Sequence, residues 1–302
     1  MPGAARRTEA EVCVGRGGVL REILMSKTIG VIGLGIIGSV WARHYAAAGA
    51  LAGAWNRTAQ PDFPSWKTTA EEVARAADVI QIVVADPAAV RAVLGQIAPE
   101  LGAGKIVVQS STIDPASAAE FAATVAARGA RYLEAPFSGS KPAAEQKLSV
   151  FFLGGEAALI TEVEPLLAQV SAHRFVIGTA EQAAAFKLAT NLNVAAQMQG
   201  LVEAITIARR AGISDDVFFA VLAKHTSYSP LAKLKEPKLR AGDFAPQFSV
   251  KHLHKDMRLA AGLAGCTDFP MLEMLRETLK TAEARGLGEE DMSAVIKLLD
   301  QG

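Results

Sequence analysis

From Thr28 onwards, short hydrophobic runs alternate with longer stretches in which hydrophobic residues recur at helical spacing. The runs predict strands at residues 28–32, 51–55, 79–84, 105–109, 131–135 and 149–153, with a further short strand near Phe175. The intervening stretches predict helices, including one that Thr69 and Glu72 open as a capping box, one over residues 115–128 with Asp114 as its N-cap and Pro115 in its first turn, and one over residues 156–168. Strands that alternate with helices are typical of a doubly wound, mostly parallel α/β sheet.

The pattern changes after residue 180. Residues 181–211 contain no proline and a single glycine, Gly200, which predicts one continuous helix of about 45 Å. Further helical segments follow, without a convincing strand. We therefore expect an α/β domain over residues 26–180, joined by this long helix to an all-α domain over residues 181–302. Residues 1–25 lack the apolar core of a secretion signal and are expected to form a disordered leader.

Composition adds mainly exclusions. The 302 residues carry no formal net charge and half of them are hydrophobic, so that neither a nucleic-acid partner nor an anionic membrane is expected. No hydrophobic run reaches the roughly 18 residues that a membrane span needs. Cys13 and Cys266 form neither a disulfide framework nor a metal-binding pattern, so no metal is expected and the protein is predicted to be cytoplasmic.

The first predicted strand leads directly into a glycine-rich turn that opens a helix, Gly33-Leu34-Gly35-Ile36-Ile37-Gly38. In such a turn the first glycine permits the tight bend, the second lets the backbone approach a pyrophosphate, and the third allows the helix to pack closely on the strand. The N-terminus of the helix adds a positive dipole. The turn therefore predicts a dinucleotide site, and the alternative is a turn whose glycines serve packing alone.

The residues that follow the second predicted strand bear on the choice of dinucleotide. NAD-binding proteins usually carry Asp or Glu there for the ribose 2′-hydroxyl, whereas this chain has Asn56, Arg57 and Thr58. A guanidinium can clamp a 2′-phosphate, and neighbouring polar side chains can add hydrogen bonds. The sequence therefore favours NADP(H) over NAD(H), unless Arg57 is only a solvated loop residue.

Lys187 and Asn191 are four residues apart on the long predicted helix and share one face. The residues around them are largely apolar, so Lys187 is expected to be partly desolvated, which lowers the pKa of an amine. Such a lysine can exchange a proton with a substrate oxygen and stabilise a developing alkoxide during hydride transfer, while Asn191 orients the lysine or the substrate. The alternative is an ordinary solvated helix face.

Three further segments can complete a ligand site. Ser138-Gly139-Ser140 follows a predicted strand, and loops at the carboxyl ends of such strands line the ligand crevice, where hydroxyl and backbone N–H groups suit a carboxylate. Ser110-Ser111-Thr112 ends another strand, although Thr112 can simply serve the turn before the next helix. Lys255 and Asp256 lie on a helix of the second half, where a surface charge pair is the alternative.

Taken together and in this order, these segments resemble the β-hydroxyacid dehydrogenase family. The resemblance covers the chain from about Thr28 to its C-terminus. It rests on GVIGLGIIG at residues 30–38, NRT at 56–58, STIDP at 111–115, EAPFSGS at 134–140, KLATN at 187–191 and KDMRLA at 255–260. The NRT segment and the SGSKPA segment look most like the glyoxylate/succinic semialdehyde reductase branch.

The resemblance implies a Rossmann domain joined by a long helix to a helical domain that takes part in dimerisation, with a homodimer or homotetramer as the assembly. It implies NADP(H)-dependent hydride transfer to or from a small carboxylate-bearing aldehyde or a 3- or 4-hydroxy acid. Lys187 would be the catalytic lysine, assisted by Asn191. The other implied contacts are Ser138, Gly139 and Ser140 with the substrate carboxylate, and Thr112 and Lys255 with the cofactor.

Two other functions stay open on the sequence alone. An imine reductase of the same architecture generally lacks lysine at the catalytic position, so Lys187 argues against it. A non-catalytic NADP-binding module would be expected to have lost that lysine or the phosphate turn. The chain also departs from the family, because Gln146 stands where glycine is frequent, which puts the shape of the substrate loop in question. Lys141, beside Ser140, is expected to be a surface residue.

Overall fold

Two compact units make up the chain, and the division between them falls inside a long helix. In this computed structural model, which describes residues 27–299 apart from Ala264 and Thr267, the first unit ends at Lys187 and the second begins at Leu188. The leader expected at residues 1–25, together with Cys13, lies outside the described residues.

The first unit is built on an eight-stranded sheet in the order β2-β1-β3-β4-β5-β7-β6, with β8 paired to β7. Pairs among β1 to β5 are parallel, whereas β7 runs antiparallel to β5 and β6 and parallel to β8. The strands are β1 (Ile29–Ile32), β2 (Leu51–Trp55), β3 (Val79–Ile82), β4 (Ile106–Gln109), β5 (Arg131–Glu134), β6 (Phe137–Ser138), β7 (Ser149–Gly154) and β8 (Ser171–Gly178). The mostly parallel sheet that the sequence predicts is confirmed.

Helices follow most of these strands and cover both faces of the sheet. They are α1 (Gly38–Ala47), α2 (Ala70–Ala76), α3 (Pro87–Ile97), α4 (Pro115–Ala126), α5 (Lys141–Glu145), α6 (Ala157–Leu167) and the first turns of α7 (Ala180–Arg210). The capping box of Thr69 and Glu72 is present at α2. Asp114 caps α4 by accepting a hydrogen bond from the Ser117 amide, and Pro115 occupies the first turn, as predicted.

Burial on both faces explains why the central strands are almost continuously hydrophobic. All four residues of β1, β3 and β4 are buried. Val31 and Val108 join a cluster with Trp41 of α1, whereas Ile80 joins the opposite cluster with Phe121 of α4. Because successive side chains of a strand point to opposite faces, both faces must be apolar in a doubly wound sheet. The doubly wound architecture is thereby confirmed.

Four elements depart from the sequence prediction. Helix α3 was not predicted, although Asp86 caps it and Pro87 opens it in the same way as the predicted pair before α4. The short β6 and α5 lie in a segment that the sequence analysis left without secondary structure. Strand β8 is eight residues long, where only a short strand was expected. Four of its eight positions are exposed and only one is fully buried, which hides the strand pattern, because an edge strand buries fewer side chains.

Every named secondary-structure element in the described part of the second unit is a helix. Its long helix α7 is continuous over 31 residues, as the absence of proline predicts. It is followed by α8 (Asp215–Leu222), α9 (Pro230–Ala241), α10 (Val250–Ala261), α11 (Pro270–Ala284) and a 3-10 helix (Met292–Leu298). A buried ion pair inside this unit joins Lys235 of α9 to Asp291 at 2.7 Å, and Asp291 also accepts backbone hydrogen bonds from Gln247 and Phe248. Among the described residues, every helix is too short or too polar to traverse a lipid bilayer.

Candidate active site

The glycine-rich turn between β1 and α1 uses its glycines in two different ways. Gly33 has φ of +105°, and a Cβ built on it would lie 2.1 Å from the carbonyl oxygen of Val83. A Cβ on Gly38 would lie 1.9 Å from the carbonyl oxygen of Gly33. A Cβ on Gly35 would meet no atom within 4 Å. Packing therefore accounts for Gly33 and Gly38 but not for Gly35, where a side chain would only fill open space beside the helix.

That open space adjoins the N-terminus of α1, which is suited to an anion. The first turn of α1 carries no acidic residue, and its N-cap residue Ile37 makes no side-chain capping bond. Ile36 is exposed, whereas Leu34 is buried and anchors the turn in the core. A turn with an open glycine and an uncapped helix N-terminus fits the pyrophosphate of a dinucleotide. The residues present therefore fit a dinucleotide, as the glycine-rich turn predicts.

Asn56 fastens the glycine-rich turn to the end of β2. Its Oδ1 accepts a hydrogen bond from the Leu34 amide at 3.1 Å, and its Nδ2 donates to the carbonyl oxygen of Thr58 at 3.1 Å. Both polar atoms of the side chain therefore contact the protein itself. Asn56 shapes the phosphate turn, while Arg57 and Thr58 are exposed at the end of the strand and remain the predicted contacts of a 2′-phosphate.

The turn after β4 is held by hydrogen bonds from a side chain of β4 and from the loop after β3. Gln109, the last residue of β4, accepts a hydrogen bond from the Ser111 amide and donates one to the Ser111 carbonyl oxygen at 2.9 Å. The Ser111 hydroxyl accepts a hydrogen bond from the Val84 amide at 2.9 Å, which ties this turn to the loop after β3. Thr112 follows, half-buried, at the carboxyl edge of the sheet where ligands of such folds bind.

A buried carboxyl group lies beneath this edge at the end of β5. Glu134 is fully buried and accepts hydrogen bonds from Gln109 Nε2 at 2.9 Å and from the Tyr132 hydroxyl. Burial raises the pKa of Glu134 well above its usual range, against the opposing effect of the two hydrogen bonds. Burial and the neighbouring carboxyl group likewise raise the pKa of Tyr132. Neither Gln109 nor Glu134 was among the residues to which the sequence assigned a role.

The segment predicted to hold the substrate carboxylate lies between β6 and α5. Ser138 ends β6 and is exposed, Gly139 is exposed with φ of +135°, and Ser140 is the N-cap residue of α5. The left-handed backbone at Gly139 explains why glycine occupies this position. The Ser138 hydroxyl and the backbone groups of Ser138 and Gly139 therefore lie at the surface of the first unit. Lys141 is an exposed residue 3.8 Å from Glu145, in agreement with the surface position predicted for it.

Lys187 is the last residue of the first unit and lies near the same segment. Its side chain is mostly buried, with the residue 9% exposed, and its Nζ is 5.8 Å from the ring centroid of Phe137. Phe137 directly precedes Ser138 in β6. The desolvation that the apolar surroundings predict for Lys187 is therefore present, and the ordinary solvated face is excluded. The structure brings this amine to the segment that carries the predicted carboxylate contacts.

In the second unit, Asn191 and Lys255 meet at one carboxylate. Asn191 is 4% exposed and donates a hydrogen bond from Nδ2 to Asp256 Oδ2 at 2.6 Å. Lys255 Nζ lies 2.8 Å from Asp256 Oδ1, and Asp256 is almost completely buried. The alternative of a surface charge pair for Lys255 and Asp256 is therefore wrong. Asp256 orients the Asn191 amide, because a carboxylate can only accept.

A shared signal marks the buried residues that the sequence analysis did not single out. Gln81, Gln109 and Glu134 are polar residues at or near the carboxyl ends of strands that are otherwise apolar, and all three are fully buried. Polar residues are seldom buried without a hydrogen-bonding role.

Across the described part of the chain, no group of three or more His, Cys, Asp or Glu residues is placed to hold a metal ion.

Comparison with known proteins places both units in one family. Residues 28–178 match the family model described as the NAD binding domain of 6-phosphogluconate dehydrogenase. Residues 182–299 match the model described as NAD-binding of NADP-dependent 3-hydroxyisobutyrate dehydrogenase.

Individual relatives agree with these matches. The chain is 33% identical to glyoxylate/succinic semialdehyde reductase 2, chloroplastic, of Arabidopsis thaliana, over 92% of this chain and 81% of that protein. It is 30% identical to the cytokine-like nuclear factor N-PAC of Mus musculus, over 90% of this chain and 50% of that protein. The crystal structure of 3-hydroxyisobutyrate dehydrogenase from Salmonella typhimurium matches with a TM-score of 0.82 at 29% identity, covering 90% of this chain and all of that one.

The fold, the glycine-rich turn and these matches define an NAD(P)-dependent oxidoreductase. Within that class, the chain belongs to the β-hydroxyacid dehydrogenase family.

Proposed function

We propose that this protein is an NADPH-dependent reductase of small carboxylate-bearing aldehydes, with Lys187 as the proton donor. The observation that carries the proposal is the burial of Lys187 with its amine beside Phe137. Phe137 directly precedes Ser138 and Gly139, the predicted contacts of the substrate carboxylate. Burial disfavours the charged form of an amine, and lysines in such positions are typical of groups that exchange protons with a substrate. The position of Lys187 next to exposed hydroxyl and amide groups suits the reduction of a carbonyl group on a carboxylate-bearing molecule.

The glycine-rich turn and Arg57 determine which nucleotide binds. The open space at Gly35 and the N-terminus of α1 receive the pyrophosphate. Arg57 and Thr58 bind the 2′-phosphate of NADPH, since no carboxylate follows β2 to bind a ribose hydroxyl instead. Asn56 keeps the turn in place through its hydrogen bond with the Leu34 amide. Thr112 and Lys255 complete the cofactor contacts in this proposal.

Reduction of an aldehyde requires a hydride at the carbonyl carbon and a proton at its oxygen. The bound nicotinamide nucleotide supplies the hydride. Lys187 donates the proton from Nζ to the carbonyl oxygen and stabilises the negative charge that develops there. Asn191, one helical turn further along α7 and oriented by Asp256, supports the lysine or the substrate oxygen. Ser138, Gly139 and Ser140 hold the substrate carboxylate through hydroxyl and backbone N–H groups.

Substrate class and direction follow from the same features and from the relatives. The relative from Arabidopsis thaliana is named for glyoxylate and succinic semialdehyde, both of which are aldehydes that carry a carboxylate. A preference for NADPH favours reduction as the working direction. The proposed activity is tested by following NADPH consumption with glyoxylate, succinic semialdehyde and methylmalonate semialdehyde. Turnover of at least one of these aldehydes, with NADH much less effective, supports the proposal.

A second function is kept because of the relationship to the nuclear factor N-PAC, whose name does not describe an enzyme. In this alternative the chain binds NADPH without turnover and acts as a sensor or scaffold. Tight NADPH binding with no consumption of any aldehyde in the panel would favour that module. Turnover of a cyclic imine in place of the aldehydes would favour an imine reductase.

The assembly and location of the protein are also part of the proposal. We expect a homodimer or homotetramer in the cytoplasm, without nucleic acid or membrane as a partner. Exposed apolar side chains on adjoining helices of the second unit support an interface between copies. Ile207 of α7 is 70% exposed, and Val217 and Val221, one turn apart on α8, are 54% and 63% exposed. Light scattering during gel filtration tests this, and a monomer at micromolar concentration would contradict it.

A further inference from the structure

A fully buried carboxyl group lies beneath the proposed site and is not used by the reaction. Glu134 ends β5 and is 0% exposed. One carboxyl oxygen accepts from Gln109 Nε2 at 2.9 Å, and the other accepts from the Tyr132 hydroxyl. A hydrophobic residue of similar size would fill the position without the cost of removing a carboxyl group from water. The retained acceptor therefore calls for a role, and its partner Gln109 indicates which one.

Gln109 carries the effect of Glu134 to the turn after β4. Its Oε1 accepts from the Ser111 amide at 2.5 Å, and its Nε2 donates to the Ser111 carbonyl oxygen as well as to Glu134. Because both ends of the Gln109 amide bond to Ser111, these two bonds fix the positions of Oε1 and Nε2. The bond to Glu134 uses the remaining N–H of the same group and prevents the side chain from swinging out of this arrangement.

Ser111 extends the connection to the phosphate turn. Its hydroxyl accepts from the Val84 amide at 2.9 Å, in the loop after β3. The preceding residue, Val83, donates its amide to the Ile32 carbonyl oxygen and packs against Gly33, where even a Cβ would clash. A continuous series of hydrogen bonds and close packing thus joins the carboxyl ends of β5, β4, β3 and β1, which is the edge of the sheet where dinucleotides bind.

We propose that Glu134 is a positioning residue that acts through Gln109 to hold the Ser111–Thr112 turn where a bound nicotinamide nucleotide requires it. The inference rests on the proposed function, because the position of this turn matters only if a nucleotide binds beside it. Glu134 itself does not contact the ligand. Its effect is to supply a hydrogen-bond acceptor at a point that water cannot reach.

The requirement for an acceptor, as opposed to a charge, leads to an informative pair of substitutions. In Glu134→Gln, the new amide oxygen can accept from Gln109, and the new NH₂ group can donate to the Tyr132 hydroxyl, which both donates and accepts. In Glu134→Leu, no acceptor remains and the Gln109 side chain loses its restraint. Burial raises the pKa of Glu134, which agrees with a position that tolerates a neutral group.

The test compares NADPH dissociation constants, measured by fluorescence titration, with amide hydrogen exchange at Ser111 and Val84. Glu134→Leu is expected to raise the dissociation constant for NADPH about tenfold and to speed exchange at both amides, because a buried hydrogen bond is lost. Gln109→Leu should do the same, and it decides the question if Glu134→Leu does not fold. Glu134→Gln should stay within about threefold of the wild type.

Tyr132→Phe is the matched control, because it removes a hydrogen bond from the same carboxyl group on the side away from Gln109. It is expected to lower the melting temperature while leaving NADPH affinity and exchange at Ser111 close to the wild type. The proposal is overturned if Tyr132→Phe weakens NADPH binding as much as the leucine variants do, since the effect would then only follow stability. It is equally overturned if the leucine variants bind NADPH normally, or if Glu134→Gln is as impaired as Glu134→Leu.

Failure of the proposed function gives a different result. If the wild-type chain binds NADPH but reduces no aldehyde, the reductase proposal fails, while the dissociation constants still decide the role of Glu134. If the wild-type chain binds neither NADPH nor NADH, both proposals are wrong.

Discussion

Single residues at the nucleotide end differ in whether they shape the site or are available to a ligand. The side-chain oxygen of Asn56 accepts a hydrogen bond from the Leu34 amide, and its NH₂ group donates one to the Thr58 carbonyl oxygen. Arg57, the next residue, is exposed. The neighbours therefore have separate tasks in the proposed enzyme, because one holds the phosphate turn and the other faces outward with a planar group suited to a phosphate.

Arg57→Ala is expected to weaken NADPH binding far more than NADH binding, because only NADPH carries the 2′-phosphate. Loss of one charged, hydrogen-bonded contact predicts an increase of about tenfold or more in the dissociation constant for NADPH. Fluorescence titration of both nucleotides measures it, with Arg128→Ala, an exposed arginine after α4, as the control. Equal weakening of both nucleotides would remove the role assigned to Arg57.

The loop between α5 and β7 contains a residue in a conformation that glycine adopts more easily. The sequence directed attention to Gln146, but Gln146 has an ordinary φ of −88°, whereas Lys147 has φ of +60°. The backbone at Gln146 therefore does not require glycine, and the left-handed residue of this loop is Lys147, which carries a side chain. Sequence alone could not show which of the two neighbours takes that conformation, because it depends on how α5 ends against β7.

Lys147→Gly is expected to be more stable than Lys147→Ala by about 1 kcal/mol, because a left-handed residue with a Cβ is strained. Both variants remove the same charged side chain, so they differ only in the Cβ. Chemical denaturation gives the free energies of unfolding. An alanine variant as stable as the glycine variant would show that the backbone at Lys147 is not strained. At position 146, where φ is ordinary, Gln146→Ala should instead be more stable than Gln146→Gly.

At the scale of elements, periodicity and capping residues were sufficient to predict most of the sheet and the long helix α7. Asp114 and Pro115 predicted where α4 begins, and the equivalent signal of Asp86 and Pro87 at α3 was available but not used. Strand β8 was underestimated because its exposed positions do not alternate clearly. Such an edge strand owes its pairing to β7, which is a tertiary effect that a local pattern does not contain.

Long-range hydrogen bonds were beyond the reach of the sequence. Gln109 and Glu134 are 25 residues apart, and Asn191 and Asp256 are 65 residues apart. Nothing in the local pattern pairs them. Lys187 and Asn191 could be proposed because both the helix and its apolar surroundings are local properties. The carboxylates that support the site became visible only when the sheet and α10 brought them to their partners.

The junction of β5 and α6 predicts a pH dependence of stability. Arg131 at the start of β5 and Lys27 both contact Glu162 of α6, and the hydrogen bonds from Arg131 lower the pKa of Glu162 from 4.5 to about 2. A carboxyl group whose pKa is lowered by folding stabilises the fold above its unfolded pKa. That stabilisation disappears as the pH falls from about 4.5 through 2.

Glu162→Gln is therefore expected to lower the free energy of unfolding at neutral pH by about 1 kcal/mol, after allowance for solvent screening. The difference from the wild type should shrink as the pH falls below 4.5 and vanish once the pH is below about 2. Denaturation at a series of pH values measures it. Glu145→Gln, which removes an exposed partner 3.8 Å from Lys141, is the control and should change little. A constant difference at all pH values would contradict the assignment.

At the scale of the whole molecule, the division between the two compact units coincides with the proposed catalytic residue. Lys187 is the last residue of the first unit, and Asn191 follows one turn later in the second, on the same continuous helix. The first unit already contains the phosphate turn, the exposed Ser138 and Gly139, and the buried amine beside Phe137. A rigid helix is a precise support for such an amine, because its packing leaves few alternative positions.

The proposed reaction depends most directly on the chemical role of the Lys187 amine. The decisive measurement is aldehyde-dependent NADPH consumption by Lys187→Ala, together with its dissociation constant for NADPH. Removal of a general acid is expected to lower kcat/KM by about 10² to 10⁴ while NADPH affinity stays within about threefold of the wild type. Lys233→Ala, an exposed lysine on α9, should retain full activity. Full activity in Lys187→Ala would contradict the proposed mechanism.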